Sequence, residues 1–239
     1  MAGLLYKELI INKKSLLIYL GTVLFLSFGM IVNITGDDID PEKVAGIIPL
    51  FYFMIFFFTG MFQPNLFEPD ETKKWAYFAT STPAMARGQV YSKYMAGFLM
   101  SLFAMLWCQV LDMTVNFILG TQTMAMSAVY IFFYAQLFLR AVEYPFIVRF
   151  GSKIGSTYKM ASFFLGVFIV FVYALFGDLS MLDMNNIFDI IYGILDGSIF
   201  SDNVLFVISL SPYLAIASYY LSYRMSCKFY LKGAESFER

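Results

Sequence analysis

Three ionisable residues stand in stretches that are otherwise apolar: Asp112, Arg140 and Glu143. A charge removed from water is costly, so such residues face protein or a water-filled path and are functional suspects by default. Arg140 and Glu143 are three positions apart, which puts them on one face of a helix. Two readings of them stay open. They line a gate or a pathway, or they form a self-neutralised pair that pins helices together; the second is favoured. Asp112 has Asn116 one turn beyond it and is expected at a different depth from Arg140, near enough to the outer surface for water to reach it. The three are therefore not read as one site.

Other chemistry is excluded by what the chain lacks. It has no histidine, which removes His-based metal sites, Ser-His-Asp and Cys-His triads and imidazole relays. Cys108 and Cys227 have no metal-ligand spacing and fall at different depths, so both are read as structural. A phosphate-cradling loop needs a Gly-Lys pair, and none occurs; G-x-S-x-G and H-E-x-x-H are also absent. No catalytic residue, metal or cofactor is expected on this chain, and nucleic acid is not an expected partner. If ATP is consumed, another chain supplies the site.

The elements that hold these residues follow from composition. Of 239 residues, 60% are hydrophobic and 14% charged, against about 45–50% apolar and about 25% charged in soluble domains. That apolar excess cannot hide in one soluble core, so the solvent is lipid. The apolar runs are continuous rather than alternating, which excludes a barrel and leaves helices of about 20 residues. Six spans are expected, at about 16–34, 44–62, 95–119, 124–148, 160–176 and 204–223, within a single domain covering residues 1–239. The first run is long for a secretory signal and ends in Thr35-Gly36-Asp37-Asp38, so it is read as a retained helix.

The loops orient the spans. Lys and Arg accumulate on the cytoplasmic side. With six spans, Lys7, Lys13, Lys14, Lys73, Lys74, Arg87, Lys93, Arg149, Lys153, Lys159, Arg224, Lys228, Lys232 and Arg239 all fall on one side. Asp37, Asp38, Asp40, Glu42, Asp178, Asp183, Asp189, Asp196 and Asp202 fall on the other, with Lys43 as the base among them. Both termini are thus expected in the cytoplasm, in a multi-pass protein of the cytoplasmic membrane.

Three segments outside the spans have patterns of their own. The stretch 4–14 is either an amphipathic helix lying along the interface or the charged start of span one. In the loop 68–93, Glu71, Trp75, Phe78 and Ala79 recur at helical spacing, Asp70 and Glu71 suit a helix N-terminus, and Pro83 stops the helix. A second short helix, 84–93, leads into span three. The acidic segment 177–203 also carries Ile187, Phe188, Ile190 and Ile191; it is read as short helices dipping into or capping the outer face, ahead of a plain loop. Aromatic residues make up 20% of the chain. Phe53 and Phe57 in span two and Phe164 and Phe168 in span five could line a path for an amphipathic substrate, although lipid-facing and packing rings have the same signature.

The run Asp70-Glu71-x-x-x-Trp75-x-x-Phe78-x-x-Ser81-x-Pro83-x-x-x-Arg87-x-x-Val90-x-x-Lys93-Tyr94 resembles the cytoplasmic loop of ABC-2-type transporter permeases. Pro145-Phe146-Ile147-x-Arg149-Phe150-Gly151-x-Lys153 resembles that family's motif after the fourth span, and Tyr6-Lys7-Glu8 fits its entry. The subgroup it is most similar to is the permeases of phenol-soluble-modulin exporters, which expel amphipathic cytolytic peptides. The resemblance implies an all-α polytopic membrane protein: six transmembrane helices, an N-terminal interfacial helix, a coupling helix between spans two and three, and short extracellular helices between spans five and six. It implies a second permease copy, as a homodimer or related heterodimer, and two cytosolic ATPase subunits that bind ATP and Mg. Glu71, Trp75, Phe78, Pro83 and Arg87 would form the coupling element, with Trp75 and Phe78 as aromatic anchors in the ATPase. The substrate would be an amphipathic peptide or similar toxic amphipath, and membrane lipid the surroundings. Two readings of another class stand beside it: a transporter or channel that works without ATP, and a membrane immunity protein.

Overall fold

The computed structural model describes residues 2–35, 41–71, 78, 81, 85–120, 126–152, 154–155, 157–158, 161 and 202–236. Most of these residues form six α-helices: α1 (Ala2–Ile11), α2 (Lys13–Ile34), α3 (Pro41–Phe62), α4 (Met85–Leu119), α5 (Met126–Phe150) and α6 (Asp202–Ser236); Phe78, Ser81 and the described residues from Ser152 to Ala161 are also helical, and no described residue is in a strand. Two short 3-10 turns, Gln63–Leu66 and Glu68–Asp70, continue from the end of α3. Among the described residues, four stretches are long and apolar enough to cross a membrane: Lys13–Ile34, Ile47–Asp70, Ala86–Leu119 and Met126–Phe150. They coincide with the first four expected spans. The sixth, 204–223, falls inside α6. The fifth span and nearly all of the acidic segment after it lie outside the described residues.

Helix ends follow local chemistry. The N-terminal stretch is a helix of its own: Asn12, with φ −94° and ψ 12°, breaks it from α2, and α1 packs on α4. Gly120 (φ 64°) and Gly151 (φ 89°) stop α4 and α5 in the left-handed conformation that costs glycine nothing. The expected short helix before span three is continuous with it, because nothing between Met85 and Tyr94 interrupts the helical ladder. α4 and α6 are each 35 residues long, about 52 Å at 1.5 Å per residue, and so overshoot a hydrocarbon core of about 30 Å. Pro49, Pro145 and Pro212 sit inside helices, which neighbouring helices make tolerable in a membrane bundle.

Packing is set by small residues and by hydroxyls. α5 and α6 are the most extensively packed pair, and α3, α4 and α5 all meet one another. An added Cβ at Gly60 would come within 2.6 Å of the Arg140 guanidinium, and one at Gly97 would strike the Tyr144 hydroxyl. Without an aqueous driving force between helices, such close approach and interhelical hydrogen bonds hold a bundle together. The bonds are present: the Tyr19 and Thr59 hydroxyls meet at 3.1 Å between α2 and α3, and Trp107 Nε1 donates to Ser27 Oγ at 2.8 Å between α4 and α2. Tyr94 Oη lies 2.7 Å from both Ser222 Oγ and Ser226 Oγ, joining α4 to α6.

Candidate functional site

Two polar centres occupy the bundle interior. In the first, Arg140 and Glu143 on α5 form an ion pair, both fully buried. Arg140 Nη2 also donates to the carbonyl oxygen of Gly60 on α3 at 2.6 Å. Gly60 admits the guanidinium because it has no side chain, so the pair ties α5 to α3. One turn beyond Gly60, Gln63 Nε2 donates to Gly97 O at 2.9 Å and to Ser101 Oγ at 2.8 Å, extending the contact to α4. In the second centre, Asp112 accepts from the Tyr52 hydroxyl at 3.1 Å and from Asn116 Nδ2 at 3.1 Å. Tyr52 and Gly60 are eight positions apart on α3, about 12 Å along the axis. Asp112 and Arg140 therefore belong to different depths, and the structure does not bring them together. Asp112 is buried inside the bundle rather than open to its surface.

A third centre lies where the ends of α1, α3 and α4 meet, at the basic end of the bundle. Lys93 is buried; its ammonium contacts Asp70 at 2.8 Å and Glu8 at 3.6 Å, and it donates to Leu66 O at 2.6 Å. The same ammonium sits 5.2 Å from the centre of the Phe67 ring. Lys7 reaches Asp70 at 2.9 Å and Glu8 at 3.4 Å, and Ser92 Oγ donates to Glu8 at 3.4 Å. Two cations and two carboxylates thus neutralise one another, as buried charges must.

This centre changes the reading of Asp70 and Glu71. Asp70 ends a 3-10 turn and Glu71 follows it outside that turn, while the residues directly after Glu71 lie outside the described residues. Two whole ammonium charges near 3 Å attract Asp70 more than the half-charge of a helix end. Glu71, expected to face a partner, instead accepts the backbone N–H of Ser152 and its hydroxyl, the latter at 3.0 Å. Burial pushes the Glu71 carboxyl above its usual range, and the Ser152 hydrogen bonds offset part of that. Of the remaining coupling residues, Phe78 is 59% exposed and Arg87 is exposed on the first turn of α4. Ser81 Oγ donates to Phe78 O at 2.7 Å. Trp75 and Pro83 lie outside the described residues.

The aromatic candidates are placed in part. Phe53 and Phe57 are 45% and 51% exposed and stack with centroids 6.1 Å apart, so both point away from the interior of this single chain. Phe53 also meets the edge of Phe132 on α5. Phe164 and Phe168 lie outside the described residues. Among the described residues, no group of three His, Cys, Asp or Glu side chains could hold a metal ion. Sequence reasoning missed the roles of Glu8, Lys93 and the Tyr94 hydroxyl. Lys7, Glu8, Asp70 and Lys93 are visible as charges beside apolar runs, but their pairing spans 63 positions between Lys7 and Asp70 and has no local signature.

Apolar helices of spanning length, interhelical polar contacts and a charged end define a multi-pass helical membrane protein. Its family is given by comparison: the model described as ABC-2 family transporter protein matches residues 3–231, and the chain belongs to that family. It is accordingly a membrane permease of an ABC transporter, a transport component rather than a catalytic one, in a family that works with ABC ATPase subunits. Neither a curated protein nor a solved structure matches the chain.

Proposed function

We propose that this chain is the translocating subunit of an ATP-driven exporter of amphipathic peptides. It pairs with a second permease chain in the cytoplasmic membrane, with both termini in the cytoplasm. Two separate ATPase subunits, carrying ATP and Mg, dock at the basic end. Segment 71–87 is the coupling element, with Trp75 and Phe78 as its apolar anchors and Glu71, Pro83 and Arg87 shaping it. The observation that carries this reading is the exposed ring of Phe78, which is in helical conformation a few residues after Asp70, whose carboxylate is held by α1 and α4. A large exposed ring close to an anchored point is what a docking element needs. The amphipathic-peptide substrate is favoured by the likeness of the 70–94 run to phenol-soluble-modulin exporters and by the outward aromatic pair Phe53 and Phe57.

The test is affinity purification of the chain from its native membrane, followed by identification of what accompanies it. A stoichiometric ATPase with a phosphate-binding loop is expected. Trp75→Ala and Phe78→Ala are each expected to release that ATPase, or to uncouple hydrolysis from export, while the thermal unfolding of the permease in detergent stays unchanged. Full complex formation and full export in both variants would refute the coupling assignment.

A further inference from the structure

Asp70 and Glu71 are adjacent, yet their carboxylates reach three separate elements. Asp70 takes Lys7 of α1 at 2.9 Å and Lys93 of α4 at 2.8 Å. Glu71 takes the backbone N–H and hydroxyl of Ser152, in the stretch that follows α5. The remaining sides of a small cavity against both carboxylates are closed by Val90, Ile147, Val148 and, from the far end of α6, Tyr230. The stretch after α5 is itself seated tightly. Gly155 N–H donates to Gly151 O at 2.8 Å, and a Cβ on Gly155 would come within 2.8 Å of the Ile147 Cα. The coupling segment thus begins at a point that holds α1, the base of α4 and the stretch from Ser152 together.

We propose that Asp70 and Glu71 form a positioning hub, through which displacement of the coupling element moves α1, the start of α4 and the 152–158 stretch as one body. This rests on the coupling reading above and deepens it. A loop fixed only to its own two flanking helices would move those two alone. The Glu71–Ser152 bonds, across 81 positions, carry the motion to the connection that leads into the fifth expected span. The Asp70–Lys7 and Lys93–Glu8 contacts carry it to the N-terminal helix. Each link is charged or charge-assisted and at least partly buried, the class of hydrogen bond that resists solvent competition. In this scheme Glu71 faces the stretch after α5 of its own chain, and the contact with the ATPase falls to the residues beyond it.

The experiment is hydrogen exchange of the chain in lipid nanodiscs, alone and with its ATPase. Glu71→Ala is expected to raise amide exchange at 152–158 by about tenfold, the scale of one lost charge-assisted hydrogen bond, with α2 unchanged. Ser152→Ala is expected to raise it less, because the backbone N–H bond to Glu71 survives. Asp70→Ala is expected to raise exchange in α1 instead. In the wild-type complex, ATP binding should alter exchange in α1 and at 152–158 together; in Glu71→Ala the change should remain in α1 and vanish from 152–158. Unchanged protection at 152–158 in Glu71→Ala, or an ATP-linked change that still reaches it undiminished, overturns the hub. An ATPase that does not bind the wild-type chain refutes the coupling reading instead, while exchange in the isolated chain still decides whether Glu71 holds the stretch after α5.

Discussion

Arg140 shows how one side chain shapes a membrane bundle. A guanidinium in hydrocarbon needs a counter-charge and acceptors. Glu143 supplies the first from the same helix, and the Gly60 carbonyl supplies a second acceptor from α3. Removing one member of a buried pair strands the other, at a cost of about 3–5 kcal/mol, more than the pair is worth when intact. Arg140→Ala is therefore expected to lower the thermal unfolding temperature in detergent sharply, and Arg140→Met combined with Glu143→Leu to recover most of the loss. Scanning fluorimetry of the purified variants checks both. Wild-type unfolding of Arg140→Ala with abolished export would instead place Arg140 on the transport path.

The elements are coordinated by the two long helices. α4 and α6 are longer than a span requires, and they meet around Tyr94. Its hydroxyl lies between Ser222 and Ser226, its carbonyl oxygen accepts from the Tyr219 hydroxyl at 2.7 Å, and its ring packs edge-on against Tyr144. Tyr94→Phe leaves two serine hydroxyls in an apolar setting and is expected to cost about 1–3 kcal/mol. A double-mutant cycle with Ser226→Ala should show a coupling energy clearly above zero, because the two residues share one bond. Additive effects would mean that the hydroxyl contact holds nothing. α1 is positioned in another way. It has few apolar partners of its own, and Glu8, buried among Lys7, Ser92 and Lys93, fixes it to α4.

At the scale of the molecule, charge distribution and packing point the same way. Lys7, Lys93, Arg87 and the residues around Ser152 gather at one end. Asp112 lies in the second half of α4, beyond the Gln63–Ser101 contact. Lys and Arg retained on one face set membrane orientation. With Cys108 and Cys227 replaced by serine, single cysteines at Lys14, Arg87 and Lys228 are expected to react with an impermeant maleimide only after cells are opened. One at Asp38 should react in intact cells. Labelling of Lys228→Cys from outside would break the expected six-span arrangement, since an odd number of crossings would then separate it from Lys14.

Much of the fold was legible in the sequence, for a physical reason. Lipid offers the backbone no hydrogen bonds, so an apolar run of sufficient length must be helical, and α2, α3, α4 and α5 could be read from hydropathy alone. The i,i+3 spacing was also enough to bring Arg140 and Glu143 onto one face, because both lie on one helix. What sequence could not supply was any partner on a different helix. Gly60 as acceptor for Arg140, Tyr52 for Asp112, and Ser222 and Ser226 for Tyr94 depend on helix rotation and depth, which no local pattern encodes. The sharpest case is Asp70-Glu71. By composition these residues suit the start of a helix, and nothing local shows that Lys7, Lys93 and Ser152 approach their carboxylates from elsewhere in the chain. Sequence by itself determined the four apolar segments of spanning length, α2 to α5, and pointed to the family that the comparison shows. Tertiary structure alone decided which charges meet, since meeting requires distant parts of the chain to be packed at one depth.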